Sequence, residues 1–187
     1  GIRGKYAKVA VSPEGLFRFP TGRAGLEALG YDPVIVRSLP ESAVDSYCGV
    51  GNPFTLGPIH EGEEVLDIGC GGGLDTMVAA SMVGTTGRVV GIDATPEMLG
   101  RARRNLRNAA LENVTFREAS AEDLPFSDQS FDVVISNGAF NLVPHKAKAL
   151  EEVFRVLKPG GRLMMADQVL IGWLPKSQKG KIDNWAN

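Results

Sequence analysis

The run Asp67-Ile68-Gly69-Cys70-Gly71-Gly72-Gly73 offers the chemistry of close approach rather than of bond-making. Glycines let a backbone turn sharply and come within contact distance of a ligand that a Cβ would repel. An acid, Asp93, stands twenty residues beyond Gly73, and a carboxylate there can accept both hydroxyls of a ribose in charge-assisted bonds. Farther on, Ala121-Glu122-Asp123-Leu124-Pro125-Phe126 supplies a backbone amide at Ala121 and a carboxylate at Glu122. Those two groups suit the edge and the amino group of an adenine. Read singly, Asp93 is also an acid ending a strand and Glu122 a solvated acid in a turn. Read together, the three elements describe a nucleoside ligand.

The nucleoside must then be named. A dinucleotide fingerprint G-x-G-x-x-G would place Gly or Ala at position 74, where this chain has Leu74. The extra Gly73 and the acid Asp67 suit S-adenosylmethionine (SAM) better. SAM has no pyrophosphate to rest on a helix N-terminus; it brings an amino-acid head group and a sulfonium cation. Methyl transfer from it needs a general base only where the nucleophile carries a proton. His145 is read as a surface-loop residue, His60 has no partner that can be named, and no catalytic residue is assigned. Two isolated histidines and two isolated cysteines, Cys48 and Cys70, do not form a metal-site pattern. Cys70, inside the glycine turn, reads as a small buried residue.

These residues need strands and helices to hold them. Residues 1–60 are rich in Gly and Pro, with helices expected at about 3–10, 22–29 and 40–46. From residue 63 strands alternate with helices. The expected strands are Glu64–Ile68, Arg88–Ile92, Asn113–Arg117, Phe131–Ser136 and Arg162–Gln168. The expected helices are Asp75–Val83, Pro96–Ala110 with Thr95 as N-cap, and Lys146–Val156, stopped by a Lys158-Pro159-Gly160-Gly161 turn. Parallel neighbours need crossover connections, so this alternation predicts an α/β, Rossmann-like, doubly wound and mostly parallel sheet in three layers. The expected division is a helical lid or extension over 1–60 and a SAM-binding domain over 61–187.

At 187 residues the chain has room for one such domain and a short addition. A net charge of −2 gives no electrostatic reason to expect a polyanion, and Arg101, Arg103, Arg104 and Arg107 read as a solvated helix face. Nucleic acid is therefore not expected as a partner. No apolar run is long enough to span a bilayer, and two cysteines cannot build a disulfide framework, so no membrane is expected and a reducing cytoplasm is the predicted compartment.

Five stretches, V-L-D-I-G-C-G-G-G, G-I-D-A-T-P-E-M-L, A-E-D-L-P-F, F-D-V-V-I-S-N and V-L-K-P-G-G-R-L, occur in the order found in class I SAM-dependent methyltransferases, which the chain resembles over about 63–170. The resemblance implies a SAM-dependent methyltransferase that acts on a small-molecule acceptor and releases S-adenosylhomocysteine (SAH). It implies Asp67, Gly69, Cys70, Gly71 and Gly73 around the methionine moiety, Asp93 on the ribose, and Ala94 and Met98 beside the nucleoside. Ala121 and Glu122 would bind adenine, with Ser136 and Asn137 near the sulfonium. T-P-E-M-L, I-S-N-G-A-F-N-L and G-V-G-N-P-F are most similar to the arsenite methyltransferase branch, which implies that the segment around Tyr47–Phe54 folds over the cofactor. That branch places arsenic-binding cysteines where this chain has Val50 and Gly138, and a third beyond Asn184-Trp185-Ala186. It also implies two further strands after the fifth, so an exposed fifth-strand edge and self-association through it are expected.

Overall fold

The computed structural model describes residues 16–169 together with Val9. Five strands lie in one sheet: β1 (Glu64–Ile68), β2 (Arg88–Asp93), β3 (Val114–Glu118), β4 (Phe131–Asn137) and β5 (Leu157–Ala166). Their spatial order is β3-β2-β1-β4-β5, and every pairing is parallel. The order reverses between β1 and β4. In an open sheet of this kind the crevice outside the carboxyl ends at that reversal is where a ligand lodges.

The two faces of the sheet are dressed by different helices, as the alternation of side chains along each strand requires. Val65, Val89, Val133 and Ile135 pack with Ala79, Ala80 and Val83 of α4 (Leu74–Val83). Leu66, Ile68, Val90, Ile92 and Val134 pack with Ala149, Val153 and Val156 of α6 (Lys146–Val156). Between these in sequence, α5 (Pro96–Arg107) buries Met98, Leu99 and Ala102. It exposes Arg103, Arg104 and Arg107, while Arg101 is half-buried and donates to the Val9 carbonyl.

The short helices α1 (Gly22–Ala28), α2 (Pro33–Ser38) and α3 (Glu41–Val44) form the remainder. Leu26, Val36, Ala43, Val44 and Tyr47 close over Leu74, Met77 and Val78 of α4, so this segment shares a core with the sheet domain.

β1 to β4 follow the sequence expectations within a residue, whereas β5 starts five residues earlier than expected and ends two earlier. Three expectations change. Helix α2 falls where only an irregular connection was expected; Asp32 capping Val34 N and Pro33 in the first turn start it, although Val34, Ile35 and Val36 are β-branched. Thr95 occupies the N-cap of α5, but its side chain makes no capping bond. The Lys158-Pro159-Gly160-Gly161 stretch does not separate helix from strand. Instead β5 begins at Leu157, pairs with Phe131, and bulges before Arg162 pairs with Val133. The helix expected at 3–10 and everything expected beyond the fifth strand lie outside the described residues, apart from Val9. Among the described residues no helix is long and apolar enough to cross a membrane.

Candidate functional site

The glycine turn leaves β1 at the reversal point and is fastened to the next strand. Gly69 N and Cys70 N both donate to Ile92 O, at 2.8 and 2.9 Å, and Gly71 N donates to Asp93 Oδ2 at 3.0 Å. The turn closes with Gly73 N donating to Cys70 O at 2.8 Å, and Asn105 Nδ2 of α5 holds Gly72 O at 2.9 Å. Gly73 has a left-handed backbone, φ +84°, and a Cβ there would stand 2.6 Å from the Phe116 ring. Only glycine suits a position with both restrictions.

Above the turn opens a cavity of about 600 Å³. Asp93 lies at one end. Its Oδ1 accepts from Thr95 N at 2.8 Å and its Oδ2 from Gly71 N, so both oxygens are oriented by backbone amides. Ala94, Met98, Ala121 and Glu122 line the same end. Glu122 Oε1 also accepts from His145 N at 2.9 Å, which ties the loop after β3 to the start of α6. His145 itself is exposed, as expected.

The other end is roofed by the strap Tyr47–Gly51, and Asn137 at the tip of β4 pins it. Asn137 Oδ1 accepts from Val50 N at 2.8 Å and Gly51 N at 3.1 Å, while Nδ2 donates to Gly51 O at 2.7 Å and Asp75 Oδ2 at 3.0 Å. Tyr31 Oη donates to Asp75 Oδ1 at 2.7 Å, and Tyr47 Oη donates to Gly51 O at 2.8 Å. A Cβ at Gly49 would lie 2.4 Å from Asn137 Nδ2, so the strap approaches this closely only with glycine there. Val50 faces Gly138: a Cβ on Gly138 would sit 3.4 Å from both Val50 methyls. The two positions at which the resemblance puts thiols are therefore neighbours on the cavity wall, and here they present a valine and a glycine.

Burial governs the electrostatics. The Asp75 carboxyl is pushed up to about 6 by burial, against the opposing pull of its bonds from Tyr31 and Asn137. Burial likewise raises Asp67 well above the carboxylate range, with Asp75 nearby adding repulsion, and raises Asp93. The Tyr31 and Tyr47 hydroxyls are raised by burial and by the Asp75 charge, so both stay protonated donors. The Cys70 thiol is also raised by burial and stays protonated, with no thiolate character. None of the three aspartates is in an ion pair among the described residues.

Of the residues expected from sequence, Gly69, Cys70, Gly71, Asp93, Ala94, Met98, Ala121, Glu122 and Asn137 come together on the cavity wall. Asp67, Gly73 and Ser136 lie beneath it. Asp67 Oδ2 accepts from Thr76 Oγ1 at 2.6 Å, and Ser136 Oγ donates to Ile68 O at 2.9 Å, so both brace the turn from below. Sequence reasoning missed Tyr31 and Asp75. Asp75 left a trace, as the single acid in an otherwise apolar helix; Tyr31 left none, being 106 residues from the Asn137 it meets. Among the described residues no cluster of His, Cys, Asp and Glu could hold a metal ion.

Comparison with known proteins gives a consistent picture. The family described as a methyltransferase domain matches residues 59–187. The arsenite methyltransferase of Halobacterium salinarum is 44% identical over 149 residues, covering 80% of this chain and 38% of that protein. The ubiquinone/menaquinone biosynthesis C-methyltransferase of Salmonella arizonae is 42% identical over 110 residues, covering 58% of this chain and 44% of that protein. A crystal structure of an arsenic(III) S-adenosylmethionine methyltransferase from Chlamydomonas reinhardtii superposes with a TM-score of 0.73 at 35% identity, covering 83% of this chain and 56% of that one. The chain thus spans about two fifths of the length of the curated relatives it matches.

Proposed function

The chain belongs to the methyltransferase domain family, on its arsenite methyltransferase-like branch, with S-adenosylmethionine as cofactor, and on that premise we propose that it transfers a methyl group to a small organic acceptor. The observation that carries the proposal is the pairing, in one cavity, of the glycine turn with the Asp93 carboxylate, which the turn's own Gly71 amide orients. The carboxylates of the cavity, none of them ion-paired among the described residues, suit a ligand that is itself a cation.

In this reading Asp93 holds the ribose hydroxyls, Ala94 and Met98 flank the nucleoside, and Ala121 with Glu122 receives the adenine. Gly69, Cys70 and Gly71 bring backbone against the methionine moiety; Asp67, Gly73 and Ser136 keep that backbone in place. SAM, when bound, supplies a methyl group already activated by the sulfonium. The protein's share is then to position the acceptor and exclude water. Asn137 does this by holding the strap Tyr47–Gly51 over the donor end. No side chain is needed as a base for an acceptor that reacts without losing a proton.

The acceptor region joins Val50, Gly138, Leu16, Phe17 and Phe19, with Asn141 and Asp167 at its polar side. Val50 and Gly138 offer no thiolates to a soft metalloid centre, so the acceptor favoured is a carbon, nitrogen or oxygen nucleophile on a mainly apolar molecule. The two cysteines, neither of them in a disulfide, suit a reducing compartment such as the cytoplasm. The test is calorimetric titration with SAM, followed by measurement of SAH formation against organic acceptors and arsenite. Binding of SAM with turnover of an organic acceptor is the expected result; turnover of arsenite alone would refute the acceptor assignment.

A further inference from the structure

The buried Asp75 has no role in holding the nucleoside, yet it faces the cavity at the strap end, where the donor's charged group must lie. With the ribose on Asp93, a 5′ substituent laid along the glycine turn would reach toward Asn137 and Asp75, which line the same cavity. We propose that Asp75 is the counter-charge by which this site distinguishes the methyl-loaded cofactor from its spent product. The inference rests on the SAM reading of the site.

The physical argument is one of charge balance. SAM carries a sulfonium, an ammonium and a carboxylate at its amino-acid end, a net charge of +1. On transfer the acceptor's electron pair forms the new bond to the methyl carbon, the carbon–sulfur electrons return to sulfur, and SAH is left with a neutral thioether and no net charge. Every hydrogen-bonding group of the nucleoside and amino acid is the same in the two molecules. Only a buried charge can tell them apart by more than the methyl group itself.

Asp75 meets that requirement. It is 8% exposed, and the groups facing it among the described residues are Tyr31, Tyr47 and Asn137, with Asp67 on β1 beneath; none of these is a cation. Its carboxylate also holds Asn137 Nδ2, the amide that holds Gly51 O and hence the strap. One charge therefore touches both the donor end of the cavity and the latch of its roof. A cation beside Asp75 stabilises its ionised form, so SAM affinity falls as pH drops through about 6, and SAH affinity does not.

The experiment is paired calorimetric titration of the intact chain with SAM and SAH, at pH 7.5 and 5.0, for the wild type, Asp75→Asn and Tyr31→Phe. The wild type should prefer SAM by about tenfold at pH 7.5 and lose most of that preference at pH 5.0. Asp75→Asn should bind both ligands alike at either pH. Tyr31→Phe removes a hydrogen bond and keeps the charge, so it should weaken both ligands and leave their ratio intact. Equal binding of the two ligands by the wild type, or a ratio unmoved by Asp75→Asn and by pH, overturns this inference while the SAM reading stands. Should Asp75→Asn not fold, the pH dependence of the wild-type ratio decides alone. Failure of the wild type to bind either ligand overturns both.

Discussion

The two edges of the sheet use the same acids in opposite ways. At the amino ends of the strands and along α6, three carboxylates each have a cation: Glu63 with Arg162, Asp132 with Lys158, and Glu152 with Arg155, at 2.8, 2.8 and 2.7 Å. The carboxyls of Glu63 and Glu152 lie below the usual range chiefly because of those partners; burial is the largest single influence on Asp132 and pushes it up, but the bonds from Lys158 and Glu64 N and the charges of Lys158 and Arg162 together hold it low as well. At the carboxyl ends, Asp67, Asp75 and Asp93 have hydrogen bonds but no cation, and burial pushes all three up. One edge spends its charges on holding the fold. The other keeps them uncompensated, a cost in stability that a cationic ligand repays.

The largest effect expected from this contrast is at Asp93. Asp93→Ala removes both proposed ribose contacts and frees the Gly71 and Thr95 amides. With two charge-assisted bonds at about 2 kcal/mol each, cofactor affinity should fall on the order of a thousandfold. Titration with SAM checks this, and an affinity within a few fold of wild type would remove Asp93 from the site.

A second test opposes the edges by pH. A carboxyl raised in the folded state makes the ligand-free protein less stable as pH rises from its unfolded value to its folded one. For Asp75 that window runs from about 4 to about 6 and amounts to up to about 3 kcal/mol, with Asp67 and Asp93 acting in the same direction. Glu152, lowered to about 2 by Arg155, does the reverse: its contribution is present above the unfolded value and is lost as pH falls toward 2. Denaturant unfolding without ligand should therefore show stability rising from pH 7 to 4 and falling below it. A profile that falls steadily from pH 7 downward would contradict the view of the cavity acids as uncompensated.

Much of this contrast was hidden in the sequence. The strands were legible because buried parallel strands read as short apolar runs, and the placing of Gly69, Gly71, Asp93 and Ala121 on the cavity wall was legible because each stands at or just past a strand's carboxyl end. Which way an acid points was not. Asp67 precedes the glycine turn and looks like a ligand contact, yet strand alternation turns it to Thr76 on α4. Asp75 reads as a first-turn helix acid favoured by the helix dipole, and only the long-range meeting with Tyr31 and Asn137 gives it a place in the cavity wall. The bulged start of β5 was equally hidden, because Pro-Gly-Gly signals a turn more strongly than a strand.

At the paired edge, Glu152 should matter for stability alone. Its Oε2 accepts from Leu124 N at 2.7 Å and Arg155 Nη2, so it ties α6 to the loop that carries Glu122. Both side chains of the pair are less than a third exposed. Glu152→Gln keeps the shape and removes the charge, which should cost about 1–2 kcal/mol in chemical denaturation. SAM affinity should stay within about twofold of wild type. A large loss of affinity with unchanged stability would mean that the division between the two edges is drawn in the wrong place.

The smallest effect belongs to Arg88, whose guanidinium donates through Nε and Nη2 to Glu64 Oε2 at 3.1 and 3.0 Å across the exposed start of β1 and β2. The arginine side chain is 61% exposed, so water and salt screen the pair and little is gained by its geometry. Arg88→Ala should change stability by less than about 0.5 kcal/mol and leave SAM binding untouched. The value of so small a prediction is that it separates pairing from burial. If Arg88→Ala proved as costly as Glu152→Gln, charge pairing itself would stabilise this edge wherever it occurs. If it is silent, burial of the paired acids is what distinguishes Glu152, just as burial without pairing distinguishes Asp75.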